Sequence, residues 1–340
     1  MAVIIKGDNG TVTDTYLELI GSALEDMGES VRYEHDYKKV FALPKNELIV
    51  TALSLEAFHL ILHGHRRIIL WLQGIAPEEN YLVRGSRIRQ AVFNLIEWFV
   101  VRHVDFMLFV SESMKKYVLQ KYKMASKESR TYCMPCMNTE LHPESFLEPG
   151  KYDGPTFAYV GSMTPWQSFE ETADLYAKIE RSFDYRSKFL VFTGDQEKAS
   201  KILRDKGIKH YSVDYIPNEK LPTALAGVKY GFILRKDNIV NRVATPTKIS
   251  TYLSSGVIPI YSRCLEDFDA VAQNMTYVVS NSENIIDKLK TMEALRIDPE
   301  AVLKEYREIF DTYYNRQKHK EALKVKLRPV YEKISAACSR

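Results

Sequence analysis

Short runs of β-branched and aromatic residues alternate with amphipathic stretches along most of this chain, and the alternation stops once and begins again. Such a pattern predicts parallel strands joined by crossover helices, because strands covered on both faces read as unbroken apolar runs. In the first half the runs fall at 3–5, 48–51, 68–72 and 106–110. Between the first two, Tyr16, Leu17, Ile20, Leu24 and Met27 share one helical face, and Gly28 stands where a helix is closed. A longer amphipathic stretch, 86–104, leads into the run at 106, and Ser111 is placed to cap the next helix. From 139 to 156 the period is lost while Pro143, Pro149, Gly150, Gly154 and Pro155 accumulate, the punctuation of a link between folding units. Beyond it, runs at 156–160, 189–193, 210–214, 230–234, 258–261 and 276–279 alternate with helical patterns at 169–183, 196–206, 221–227 and 247–255. The expectation is an α/β chain of two doubly wound Rossmann-like domains, 1–146 and 147–316, with a C-terminal helical segment, 317–340, packing across both.

Length agrees, since 340 residues suffice for about two domains with a core each. A formal charge of +3 lacks the basic excess of a nucleic-acid binder, so no nucleic-acid partner is expected. The longest apolar stretch, 92–110, is broken by Asn94, Glu97, Arg102, His103 and Asp105, and the first residues are too polar for a secretory leader. The four cysteines are few and scattered, which reads as free thiols in a reducing cytoplasm. There is no Gly-x-Gly-x-x-Gly fingerprint and no Walker A loop, which argues against a standard dehydrogenase or P-loop NTPase.

In open parallel sheets ligands bind beyond the carboxyl ends of the strands. Three exits in the second half carry polar or glycine residues: Gly161-Ser162, Gly194-Asp195 and Arg235-Lys236-Asp237. A fourth segment, Ala244-Thr245-Pro246-Thr247-Lys248, opens a helix with proline suited to its first turn. Helix-start amides, Lys248, Arg235 and Arg242 would together neutralise a diphosphate without a metal ion or cofactor.

The run LRKDNIVNRVATPTKISTYLSSGVIPIYS resembles the donor-binding region of GT-B glycosyltransferases, above all the retaining enzymes of family four, and FAYVGSMTPWQSFEET resembles their glycine turn. IILWLQGIAPEENY resembles their acceptor-side strand and loop, and VDFMLFVSESMKKYV the strand and helix before the interdomain link. The resemblance implies two domains facing across a cleft and transfer of a sugar from a nucleotide-diphosphate sugar to an acceptor hydroxyl, in synthesis of a surface polysaccharide or glycoconjugate. Donor-side candidates are Gly161, Ser162, Gly194, Arg235, Asn241, Thr245, Pro246, Lys248, Thr251 and Tyr252. Acceptor-side candidates are Gln73, Gly74, Glu78 and Glu79, with Asp8, Asn9 and Asp14 further out. The acceptor would be a glycan or a lipid-linked glycan, and no catalytic base is assigned. Ser162 and Gln167 stand where such enzymes commonly carry Arg or Lys, and Val243 and Thr251 where they often carry glutamates. These departures keep two alternatives open: a nucleotide-sugar epimerase or hydrolase of the same fold, and a non-catalytic sugar-nucleotide-binding partner subunit.

Three further features have plain readings. His59, His63 and His65 lack a nearby carboxylate and read as surface or hydrogen-bonded histidines rather than a metal site. Cys133-x-x-Cys136 has no second pair and reads as structural, and of the three tryptophans only Trp166, just after the glycine turn, is placed to meet a base or sugar. Arg84, Arg87, Arg89 and Arg102 lie near one amphipathic helix beside aromatic residues, the make-up of a peripheral membrane contact or of a solvated face.

Overall fold

The computed structural model describes residues 1–7 and 12–338, except for the side chains of Val12 and 332–338. The chain divides into two compact units, Met1–Pro135 with Asn315–Arg340, and Cys136–Tyr314. Each is built on a six-stranded parallel sheet.

The first sheet contains β1 (Ala2–Ile5), β2 (Val31–Glu34), β3 (Leu48–Thr51), β4 (Ile68–Leu72), β5 (Phe106–Phe109) and β6 (Thr131–Cys133), in the order β2-β1-β3-β4-β5-β6. β1, β3, β4 and β5 are buried at every position, so they appear in the sequence as apolar runs. β2 is an edge strand with Arg32 and Tyr33 exposed, and no such run announces it. The sequence pattern does not single out the helix Ser54–Leu62 either, whereas the helix Ala76–Arg84 carries Glu78 and Glu79 in its first turn after Pro77, as their order in the sequence allows.

The second sheet contains β7 (Thr156–Val160), β8 (Lys188–Phe192), β9 (Tyr211–Asp214), β10 (Tyr230–Ile233), β11 (Ile258–Tyr261) and β12 (Val279–Ser280), in the order β12-β11-β10-β7-β8-β9. Its core is aromatic: Phe157 stacks on Tyr230 and Phe232 at 5.0 and 5.6 Å, and Tyr176 on Phe189 at 4.5 Å. Each such buried ring contributes about 2–3 kcal/mol of burial free energy. The run expected at 276–279 becomes a strand only at Val279–Ser280.

The division falls earlier than the expected boundary after residue 146. Residues 136–146 are stitched to the helix Lys248–Ser254, since Ser250 and Thr251 hydroxyls donate to Asn138 Oδ1 at 2.8 and 3.2 Å, and the His142 amide donates to Ser254 O at 2.9 Å. Phe146 lies against Gly256 (φ +68°), where a Cβ would come within 2.8 Å of its ring. The C-terminal segment expected from 317 is the helix Arg316–Cys338, which the division places with the first unit, and it is separate from the helix before it. Pro299–Thr312 stays with the second unit, its Tyr306 hydroxyl donating to Tyr277 O at 2.7 Å. The chain then restarts at Asn315, whose side chain accepts the Lys318 amide at 2.8 Å. Arg316–Cys338 packs on Val12–Asp26 of the first unit, where Lys320 and Lys324 both reach Asp26, at 2.9 and 3.1 Å.

Candidate donor and acceptor sites

In the second sheet the strand order reverses between β7 and β10, so the residues following these strands lie side by side at the position where open sheets bind ligands. Gly161 follows β7 with φ +139°, a conformation that L side chains rarely adopt, and donates its amide to Phe192 O at 3.0 Å. A Cβ on it would stand 3.3 Å from Lys248 Nζ, so the missing side chain leaves the ammonium its room. Lys248 is 7% exposed, its Nζ sits over the Tyr159 ring at 4.2 Å, and among the described residues no carboxylate pairs with it. Burial, and then the charge of Arg235, push its pKa well below the usual lysine value.

Arg235 follows β10 and is also buried. Its Nη1 donates to Trp166 O at 2.6 Å and to Gln167 Oε1 at 2.7 Å, and its amide donates to Ser262 Oγ at 2.9 Å. Its Nε has no hydrogen-bond partner, and burial brings its pKa down to about 10. Beside it a cavity of about 390 Å³ is lined by Ser168, Lys178, Arg235, Lys236, Ser262 and Glu283, among others. A second, of about 250 Å³, shares Ser168 and Lys236. The buried Ser168 hydroxyl also lacks a partner. Lys248 and Arg235 have no paired carboxylate among the described residues, although Glu171, Asp174 and Glu283 line the cavity beside Arg235, and a lone buried charge is costly and gains most from a counter-charge.

The remaining donor-side candidates divide. Tyr252 is fully buried: its ring covers Gly231 and its hydroxyl accepts the Val160 amide at 3.0 Å, fixing the end of β7 just before Gly161. Asn241 is buried and donates to Lys236 O at 2.9 Å, holding the loop after β10. Thr245 accepts the Cys136 amide at 3.3 Å, and Thr251 is turned to Asn138, so both hydroxyls fasten the link segment. Ser162 is exposed and pairs with Thr164 Oγ1 at 3.2 Å. Gly194 is exposed in open space, and the neighbouring Asp195 accepts the Met163 amide at 3.1 Å. Pro246 does not enter the first turn. The helix begins at Lys248 with Thr247 before it and is only seven residues long, so the positive charge here comes from side chains rather than from helix amides. Arg242 does not join the two buried cations; it is exposed and bound to Asp237 at 2.6 Å.

In the first sheet the order reverses between β1 and β3, and a pocket of about 390 Å³ opens there, lined by Lys6, Thr13, Glu56, Gln73, Gly74 and Glu79, among others. Gln73 Oε1 accepts from the Thr13 hydroxyl at 3.0 Å. Glu79 Oε1 accepts the Ile75 amide at 3.1 Å, and its carboxylate fills the space where a Cβ on Gly74 would lie. Glu56 takes the Thr51 hydroxyl and was not anticipated; it lies on a helix the sequence pattern had not singled out. Burial raises the pKa of both glutamates. Lys6 is bound to Glu18 at 2.6 Å, so among the described residues no free cation lines the pocket. Glu78 is not part of the pocket: it accepts from Tyr117 at 2.9 Å and Lys121 at 2.7 Å. Asp14 is buried in the first turn of its helix, and Asp8 and Asn9 lie outside the described residues.

The histidines do not converge. His59 meets Tyr37, His63 stacks on Phe41 at 3.7 Å, and among the described residues no group of His, Cys, Asp or Glu could hold a metal ion. Cys133 and Cys136 are half-buried, Cys133 Sγ donating to Ser111 O at 3.4 Å, and they fall on opposite sides of the division between units. Trp71 is fully buried, Trp98 is exposed and Trp166 half-buried. No helix among the described residues is long and apolar enough to cross a membrane.

No family model matches the chain, and no curated protein is similar to it in sequence. Its structure is similar to solved glycosyltransferase structures. Sucrose-phosphate synthase from Thermosynechococcus elongatus matches at a TM-score of 0.68 and 15% identity, over 99% of both chains. WaaG, a glycosyltransferase involved in lipopolysaccharide biosynthesis, matches at 0.61 and 12%, over 95% of this chain and 99% of that one. S. aureus TarM, solved with fondaparinux, alpha-GlcNAc-glycerol and UDP, matches at 0.60 and 9% over 86% of this chain, which spans 57% of TarM. At these identities the likeness establishes the fold: this chain has the two-unit α/β fold of GT-B glycosyltransferases.

Proposed function

We propose that this protein is a glycosyltransferase that moves a sugar from a nucleotide-diphosphate sugar to an acceptor hydroxyl. The observation that carries the reading is the pair of buried cations, Lys248 and Arg235, without a carboxylate partner beside Gly161 at the strand-order reversal of the second unit. When the bond between the sugar and the diphosphate breaks, negative charge gathers on the departing diphosphate, and fixed cations in a water-poor site stabilise it there. Their charge takes the part that a metal ion plays at other diphosphate sites. Gln167, in a place where resembling enzymes often carry a cation, here supports one by accepting from Arg235. The uncharged hydroxyl and amide groups of Thr13 and Gln73, beside Glu56 and Glu79, suit a polyol acceptor better than a phosphorylated one. A glycan or lipid-linked glycan of a surface polysaccharide meets that description. WaaG, described as acting in lipopolysaccharide biosynthesis, supports this role, and the UDP held by TarM supports a nucleotide donor. Retention of configuration, as in family four, is part of the same reading.

The test is incubation with a panel of nucleotide sugars, with and without glycan and lipid-linked acceptors, in the presence and absence of a chelator. Transfer that requires acceptor and ignores the chelator is expected. Sugar release without acceptor would instead indicate a hydrolase or epimerase. Tight nucleotide binding without turnover would indicate a binding subunit, the alternative that the bound hydroxyl of Thr251 keeps in view.

A further inference from the structure

The helix Arg87–His103 is turned inside out. Its one carboxylate, Glu97, is 1% exposed, accepting from the Tyr122 hydroxyl at 2.6 Å with Lys121 at 3.6 Å. Lys121 also binds Glu78 of the preceding helix, so a buried polar network anchors the inner face of both helices. The outer face carries Ile88, Val92, Leu95 and Trp98, with Ile88 80% and Leu95 65% exposed. At about 100° per residue these four fall within about a third of the helix circumference, and Glu97 falls opposite Ile88. Exposed Leu82 and Val83, at the end of the helix Ala76–Arg84, add to the apolar surface. Scattered exposed apolar residues need no explanation, but an aligned stripe above a buried carboxylate does.

Cations frame the stripe. Arg84, Arg87 and Arg89 stand at its start, Arg87 over the Tyr81 ring at 4.8 Å, and Arg102 at its end lies over the Trp98 ring at 4.3 Å. From residue 80 to 103 the sequence has no acidic residue besides Glu97. We infer that this face docks on an anionic lipid bilayer, with Ile88, Val92, Leu95 and Trp98 entering the interface and the arginines meeting lipid phosphates. A second copy of the chain is a poorer occupant, because a two-fold contact would set these arginines against one another. The inference does not rest on the sugar-transfer reading.

Binding of the purified full chain to vesicles tests it, by co-sedimentation and by tryptophan fluorescence in a Trp166→Phe background, where Trp98 is the exposed fluorophore and Trp71 is fully buried. Phosphatidylcholine vesicles containing phosphatidylglycerol should bind the protein and shift the emission to the blue, while phosphatidylcholine alone binds weakly. Ile88→Glu with Leu95→Glu, both at exposed positions, should reduce partition at least about tenfold. Arg84→Ser, Arg87→Ser and Arg89→Ser together should reduce it about a hundredfold, near fivefold for each charge, and remove the preference for anionic lipid. Circular dichroism checks that each variant is folded. The idea is overturned if neither vesicle binds, if the variants bind as the parent does, or if the stripe is covered in a lipid-free dimer seen by sedimentation.

Discussion

The two strand-order reversals have the same topology and opposite electrostatics. At the first, between β1 and β3, the half-buried acidic groups are the carboxyls of Glu56 and Glu79, each with its own hydrogen-bond donor, and the nearby Lys6 is cancelled by Glu18. At the second, between β7 and β10, the buried basic groups are Lys248 and Arg235, and among the described residues no carboxylate pairs with them. A doubly wound sheet therefore fixes where a ligand binds but not what it is. On the proposed reading the first site, whose carboxylates already have donors, would receive a neutral hydroxyl compound, and the second, whose cationic side chains lack a counter-charge, would gain most from an anion.

The largest effect should come from removing the unanswered cation. Lys248→Ala is expected to weaken UDP binding by about 3 kcal/mol, somewhat more than a hundredfold, in calorimetry. Lys248→Met should do the same while raising the melting temperature of the unliganded protein by about 2–4 °C, for a gain of about 1 kcal/mol. A binding loss with lowered stability would show that Lys248 is structural and break the contrast between the two sites. Next in size is Gly161→Ala, which places a Cβ against Lys248 Nζ at positive φ. It should cost about 1–2 kcal/mol of stability and about tenfold in UDP affinity. In the first unit, Gly74→Ala drives Glu79 from its place and should raise the acceptor KM about tenfold while leaving UDP affinity unchanged. A change in both constants would mean that the two sites are not separate in function. Gln167→Ala, which frees Arg235 Nη1 of one acceptor, is expected to weaken UDP binding only a few-fold.

How much of this was legible in the sequence depended on how local the cause was. β4 reads IILWL because both its faces are covered, and any reader of patterns finds it. β2 reads VRYE because it is an exposed edge, and its strand character comes from pairing with β1, which no local period records. The boundary moved for a similar reason: Asn138 belongs to the second unit through hydroxyls more than a hundred residues away. Of the candidate site, Lys248, Arg235 and Gly161 were legible from their places at strand exits and from the family pattern. The parts that set their chemistry were not, because Gln167 reaches Arg235 across 68 residues and the missing carboxylate is a property of the packed state. The helix Arg87–His103 shows the limit most plainly. Its period was visible, but a two-faced helix does not state which face is turned outward, and here the carboxylate lies inside.

The smallest expected effects are in the pH dependence of stability, where the two sites should differ in sign. Glu79 has a raised pKa in the folded protein, so between the normal carboxyl pKa and that raised value the folded state holds more proton than the unfolded chain. Stability then falls as pH rises through that acid window. Lys248 has a lowered pKa, so between that value and the normal lysine pKa the unfolded chain holds more proton. Stability then rises with pH through that alkaline window. Denaturation followed as a function of pH should show Glu79→Gln lessening only the acid slope and Lys248→Met only the alkaline one, to which Lys127 and Lys151, with pKa values lowered by burial to about 8 and about 7, also contribute. UDP should lessen the alkaline slope in the parent protein by the share that Lys248 contributes, because a diphosphate beside Lys248 restores its proton, and binding should be accompanied by proton uptake when measured in buffers of different ionisation enthalpy. An alkaline slope as steep in Lys248→Met as in the parent, or UDP binding without proton uptake, would place the buried charge elsewhere and remove the opposition between the two units.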